Sequence, residues 1–225
     1  MPSITNIQSV QSGQKTPAEI QEEFQKFYAK HVPLNPYLTN EVIHKQIQKP
    51  VYVSLKNIEK VEFQLYANVF TYFAVIYWIF LYPQYEFWTI ADGFPDYLIS
   101  TEGRVWSKHS KKCLSWGNME KMERENLYIR IGLILNKKHY DPKLHRLMIA
   151  SFMPEGHNHP KIVNHKDGHR RNPVLLNCEP SDDEHNPHHA REVLGKGTGV
   201  EICRTPVNSV DNSDKIYYNS LTKAA

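Results

Sequence analysis

The sequence predicts an α+β fold in which helical and β-rich stretches follow one another, and three observations carry that expectation. Apolar residues recur at helical spacing near the N-terminus. Short alternating runs bounded by turn residues crowd the middle of the chain. Helical spacing then returns at 143–153, ahead of a further strand and turn. With 40% hydrophobic and 23% charged residues, 14 Pro and 10 Gly, the chain is neither collagen-like, coiled-coil nor wholly disordered. Its 225 residues hold one full domain with appendages or two small modules, too few for a large barrel enzyme.

The first 15 residues are polar, without period and without a basic-then-apolar signal peptide, and are expected to form a loose tail. Thr16-Pro17-Ala18-Glu19 has the form of a capping box with Pro at the first helical position. Ile20, Phe24, Phe27 and Tyr28 follow at helical spacing, so a helix is expected over 17–30. The prolines at 33 and 36 end it; 39–48 forms a weaker helix, and Val51-Tyr-Val-Ser-Leu55 alternates as a strand. From Phe63 to Tyr85 there are 23 residues without a charge, long enough to permit a membrane span. Gln64, Asn68, Thr71 and the tyrosines at 66, 72, 77 and 82 favour a buried or partner-facing helix or strand instead.

After Pro83 the alternating runs Tyr97–Ser100, Arg104–Ser107 and Leu127–Leu133 read as strands. Leu144, Leu147, Met148 and Phe152 place a helix ending at Pro154. Val163-Asn-His precedes an Asp167-Gly168 turn, and a last short helix is expected near Asp182.

The net charge of +3 conceals its distribution. Residues 101–150 hold 11 Lys+Arg against 5 Asp+Glu, and 151–190 hold 4 against 6, so a polyanion-binding surface is expected beside an acidic, His-rich stretch. Nine of the twelve histidines lie between His139 and His189, which directs the search for proton or metal chemistry to that region. Cys113, Cys178 and Cys203 are widely spaced and form no C-x-x-C, so a disulfide framework and a Cys-rich zinc site are both disfavoured and a reducing, intracellular compartment is expected.

Chemistry concentrates at Val163-Asn164-His165-Lys166-Asp167-Gly168, followed by Asn172, Asn177 and His185-Asn186. A strand histidine can take a proton from water, while oxygen ligands hold a hard divalent cation that stabilises a pentacovalent phosphate and the leaving 3′ oxygen. This segment, with Leu144-His-Arg-Leu-Met-Ile-Ala-Ser-Phe-Met-Pro154 before it, resembles the HNH homing endonucleases of mobile introns, phages and large viruses. The resemblance implies a ββα-metal fold acting on double-stranded DNA with Mg²⁺ or Mn²⁺. It assigns His165 as general base, Asn177 as the asparagine bracing the loop, and Asn164 and Asn186 as metal ligands, with His185 as an alternative ligand and Asp167 as a turn residue.

Upstream, Glu86-Phe-Trp-Thr-Ile90, Gly93-Phe94, Tyr97–Ser100 and Gly103-Arg-Val-Trp-Ser107 resemble the small DNA-binding module that commonly precedes such nucleases. It implies a largely structural role for the aromatics and phosphate contacts for Arg104, Lys108, Lys111 and Lys112. Arg130 and Arg146 join them from the basic stretch. A fainter resemblance at 205–225 is to the start of a helix-turn-helix module that ends before a recognition helix.

Two departures stand out: Pro180 replaces a core Trp, and Pro187 follows Asn186 inside the expected last helix. His31, His44, His109, His157 and His159 are expected to be surface or satisfied residues, and His145 to pack helix against strand. The expected organisation is an N-terminal region at 1–85 with a helix and the apolar segment, a DNA-binding module at 86–125, the nuclease at 126–195 and a partial C-terminal module at 196–225. The expected protein is a monomeric, virus-, phage- or organelle-encoded DNA endonuclease that nicks or cuts both strands. The alternative is a catalytically degenerate DNA-binding remnant, with membrane tethering the lesser possibility.

Overall fold

Val51 and Val53 alternate with Tyr52 and Ser54, and this period-two pattern seats Val51–Leu55 in the largest sheet of the protein. The computed structural model describes residues 37–58, 60–154 and 162–182, scattered positions from 19 to 35, and two short C-terminal strands. Positions 19, 22, 23, 25–27 and 29 are helical, in keeping with the expected helix over 17–30. The next elements are α1 (Asn40–His44), β1 (Gln46–Ile47), β2 (Val51–Leu55), β3 (Gln64–Ala67), β4 (Phe70–Thr71) and α2 (Tyr72–Leu81). Then come β5 (Tyr85–Ala91), β6 (Phe94–Ser100), β7 (Val105–Ser107), β8 (Lys112–Cys113), α3 (Met119–Arg124), β9 (Leu133–Leu135), β10 (Lys138–Tyr140) and α4 (Leu144–Phe152). The chain closes with β11 (Ile162–His165), β12 (Cys178–Ser181), β13 (Ile202–Arg204) and β14 (Ile216–Tyr218).

Six strands pair antiparallel in the order β3-β2-β5-β6-β7-β8. The sheet therefore crosses residue 85: β2 and β3 come from the N-terminal region, and Val53 pairs with Phe87 across 33 intervening residues. The uncharged segment 63–85 is not one long helix. It supplies β3, β4 and the ten-residue α2, which Thr71 opens by accepting from Ala74 N (3.0 Å). Tyr72, Val75, Ile76 and Ile79 form its buried stripe. A membrane span needs about 20 apolar residues, and among the described residues no helix is long and apolar enough to cross a membrane. The segment thus forms short strands and a largely buried helix, the reading its polar residues favoured over a span.

The sheet has two differently furnished faces. Phe87, on one face, meets Trp78 of α2 (ring centroids 5.7 Å apart), and the bulk of the apolar core lies there with α4. Trp88, on the other face, is fully buried against Phe63 (5.2 Å) and donates its indole N–H to Ser54 Oγ (2.9 Å). Burying side chains of this size stabilises by about 1.5–3 kcal/mol each.

Other differences from the sequence have local causes. The second helix stops at His44 because Gln46 and Ile47 pair with Thr71 and Phe70. The strand expected from Leu127 begins at Leu133: Ile129 and Ile131 run beside residues 142–144, but Pro142 has no N–H to continue a ladder. The short α3, capped by Asn118 and without a buried residue, gave no periodic signal. The helix at 144–152 follows the expected span closely.

Candidate active site

The β11–β12 hairpin, with α4 packed against it, carries the expected site. His165 pairs with Cys178, Asn164 with Glu179, and Val163 with Pro180. β12 thus runs through Pro180 without a break, and Pro180 is buried. A proline fits a two-stranded sheet when its missing N–H lies on the outer edge. Its carbonyl accepts from Asn35 Nδ2 (2.7 Å), while Tyr37 donates its hydroxyl hydrogen to Asp182 (2.8 Å). A segment of the N-terminal region thereby holds the far end of the hairpin.

The connection between the strands is built around one carboxylate. Asp167 Oδ1 accepts from His169 N (2.8 Å) and Asn177 Nδ2 (3.0 Å), and its Oδ2 accepts from Asn172 Nδ2 (2.7 Å). Asn177 also accepts from Asp167 N (3.1 Å) and donates to Asn172 O (2.9 Å). These donors outweigh burial and hold the Asp167 carboxyl below its usual range. Gly168 closes the expected turn, its N–H donating to His165 O (2.9 Å) at a φ of +70°, where a side chain would be strained.

His165 is 5% exposed, and its Nε2 is a buried polar atom with no hydrogen-bond partner among the described residues. Burial pushes its pKa down to about 4, so the ring is neutral at physiological pH. It sits 4.7 Å from the ring of His145 on α4, itself pushed down to about 3 by burial and by its charged neighbours. Tyr128 completes the aromatic group, 4.8 Å from His145 and 5.9 Å from His165. His145 thus packs helix against hairpin as expected. Tyr128 escaped the sequence reading because nothing in its neighbourhood marks it as more than a strand aromatic.

Asn164 is buried and donates from Nδ2 to Glu179 Oε1 (3.1 Å). Among the described residues no group of three or more His, Cys, Asp or Glu gathers to hold a metal ion. Asn186, His185, Pro187 and the expected last helix lie outside the described residues, as do His31, His157, His159 and the expected C-terminal module apart from its two short strands. The donor set that is described suits a hard cation: an amide oxygen beside a carboxylate, next to an imidazole nitrogen without a hydrogen-bond partner among the described residues.

The expected DNA contacts divide. Arg104 places its Nε 3.0 Å from Glu86 Oε1 and its Nη2 against Oε2 of the same carboxylate, which is 1% exposed; Nη1 donates to Ile58 O (3.2 Å). The guanidinium also lies over Trp88, 5.2 Å from the ring centroid. These contacts tie Arg104 into the sheet, and its partner carboxylate lies 18 residues away, where a local reading of charge does not reach it. Lys108, Lys111 and Lys112 are exposed, Lys108 donating to Pro95 O (2.6 Å). Arg130 donates to Asp141 O (2.8 Å), and Arg146 is exposed on α4.

The loop between β11 and β12 is also tied to the sheet. Leu175 N donates to Thr101 O (2.8 Å), and Gly103 is so close to Pro173 that an added Cβ would lie 2.8 Å from its Cγ.

Comparisons with known proteins agree with the resemblance. No family model matches the chain. It is similar to two uncharacterized HNH endonucleases of Acanthamoeba polyphaga mimivirus. One is 28% identical over 115 residues, covering 48% of this chain and 28% of that protein. The other is 26% identical over 130 residues, covering 58% and 35%. The chain therefore spans about a third of the length of these relatives. A solved structure described as DNA binding and cleavage by the HNH homing endonuclease I-HmuI aligns with 61% of the chain and 80% of its own, at 23% identity and a TM-score of 0.42. The resemblance to HNH endonucleases read from residues 144–190 is thus borne out by sequence relatives bearing that name.

Proposed function

We propose that the chain is a metal-dependent HNH endonuclease that hydrolyses phosphodiester bonds in double-stranded DNA, with His165 as the general base. One observation carries the reading: a buried, neutral imidazole whose Nε2 has no partner among the described residues, held on a hairpin that Asn177 and Asp167 brace from the adjoining loop. A neutral imidazole accepts a proton from the attacking water as the new P–O bond forms and the bond to the 3′ oxygen breaks. A phosphate drawn beside His165 raises its pKa, since a nearby anion favours the imidazolium, so substrate itself strengthens the base. Asn177 acts by positioning: it fixes the Asp167 turn that follows the base.

A Mg²⁺ or Mn²⁺ ion held by Asn164, with Asn186 as the second ligand, would supply charge stabilisation for the phosphate. Lys108, Lys111, Lys112, Arg130 and Arg146 are the proposed backbone contacts on either side. The viral source of both relatives supports a virus-encoded homing-type enzyme.

The test is nicking of supercoiled plasmid in Mg²⁺ by the full chain. General-base removal costs about 10²–10⁴-fold, so His165→Ala should lose at least a hundredfold in rate while retaining a cooperative thermal transition. Equal nicking by the variant, or none by the wild type, overturns the reading.

A further inference from the structure

Beside His165 lies a group of cations for which neither the resemblance nor the proposed mechanism accounts. Lys143 Nζ sits 4.5 Å from the centre of the Tyr128 ring, and Arg170 Cζ 5.0 Å from it. The two come from different elements, Lys143 from the residue preceding α4 and Arg170 from the loop after β11. Arg170 is held in place through Nη1, which donates to Asn126 O (3.1 Å). Among the described residues no carboxylate pairs with Lys143, Arg146 or Arg170, whereas the neighbouring Arg171 is paired with Glu123 (3.4 Å) and Arg130 with Asp141 (3.5 Å). Burial, followed by repulsion from Arg146, Arg130 and Arg170, lowers the Lys143 ammonium from its ordinary value. Cations that repel one another and lack a counter-charge form a site for an anion. The aromatic ring under them fixes their positions in advance and lowers the ordering cost of capturing one.

We propose that Lys143 and Arg170, gathered on Tyr128, clamp a DNA backbone phosphate next to the one that His165 attacks. This rests on the nuclease reading and adds to it a specific pair of strand-positioning residues. The Tyr128 ring lies 5.9 Å from the His165 ring, so a phosphate seated on the two cations brings its neighbour along the strand to the orphaned Nε2. The clamp reads no base; it sets the register of the strand over the imidazole.

The experiment measures binding of the full chain to a DNA duplex of arbitrary sequence, with chelator and without metal, over a series of salt concentrations. The variants are Lys143→Met, which keeps the aliphatic stem on Tyr128, Arg170→Gln, which keeps a donor toward Asn126, and their double. A phosphate-binding cation adds about 1 to the slope of log K against log salt. Each single variant should therefore reduce the slope by about 1 and the double by about 2, with Arg171→Gln leaving it unchanged and thermal melting showing all four folded. Plasmid nicking by the double variant should fall mainly through a raised KM. A wild type that binds and nicks DNA while the double variant keeps its full salt slope overturns the clamp and leaves the nuclease reading standing. A wild type that binds no duplex overturns both.

Discussion

Two arginines in this protein lie over aromatic rings at nearly the same distance, and their surroundings assign them opposite roles. Arg104 sits 5.2 Å from the Trp88 ring and Arg170 5.0 Å from the Tyr128 ring. Under the six-stranded sheet, the guanidinium is matched by Glu86, and the indole N–H by Ser54. Beside the hairpin, Arg170 and Lys143 share a ring with no carboxylate among the described residues, and His165 Nε2 is left without a partner. Polar groups satisfied within the fold belong to its architecture. Polar groups left open at a buried, organised site await something the protein does not contain.

The largest expected expression of this difference is acid instability centred on the hairpin. His145 and His165 both have folded pKa values far below 6.5, near 3 and 4, chiefly through burial. The folded state therefore refuses protons that the unfolded chain accepts. Their contribution to stability is complete above pH 6.5 and is lost progressively as pH falls, down to about 4 for His165 and about 3 for His145. Residues 51–113, which carry the six-stranded sheet, include no buried histidine. Urea denaturation of metal-free protein should show a midpoint that drops steeply below pH 6.5, and His145→Phe should flatten that drop. A midpoint independent of pH over this range would mean that the imidazoles are accessible in the folded state, and the contrast between the regions would fail.

Glu86→Ala examines the other side. Removing one partner of a buried ion pair leaves the remaining charge uncompensated and costs about 3–5 kcal/mol; because Arg104 retains access to water at 24% side-chain exposure, the low end is expected. Denaturant titration should show this loss, while the salt slope of DNA binding is expected to stay as in the wild type if the pairing with Glu86 keeps Arg104 from phosphate. A lowered slope would mean that the two arginines are not as different as their surroundings make them.

Much of this was legible locally. Alternation identified β2, β6 and β7 of the sheet, 3.6-residue spacing located α4, and the Asn164-His165 pair with its Asp167-Gly168 turn identified the hairpin. What escaped depends on contacts distant in sequence. The pairing of β2 with β5, the commitment of Arg104 to Glu86 and the meeting of Lys143 with Arg170 on Tyr128 join residues from 15 to 42 positions apart. Composition reported the basic excess of 101–150 correctly, but the sign of a side chain does not say whether a carboxylate reaches it. The N-terminal region was opaque for the same reason: its apolar run has the length of a span, and only pairing with β2 and β1 and packing on the core divide it into strands and a short helix.

The smallest expected effect lies at the joint between the two regions. Gly103 turns the chain between β6 and β7 at a φ of +79°, and its missing side chain admits Pro173 from the loop that ends in Asn177. An alanine there meets Pro173 Cγ at 2.8 Å and Pro173 O at 3.0 Å. The second contact is with backbone, so the loop must move rather than a side chain rotate. Strain at positive φ and overpacking together cost about 2 kcal/mol. The displaced loop pulls on Leu175, whose N–H donates to Thr101, and through it on Asn177 and the turn after His165. Gly103→Ala should therefore lower the denaturation midpoint modestly and slow plasmid nicking by a larger factor, with the salt slope of DNA binding preserved, since no cation moves from its ring. If the variant nicks at the wild-type rate despite the lost stability, the sheet does not position the active-site loop, and the two regions are neighbours without being coupled.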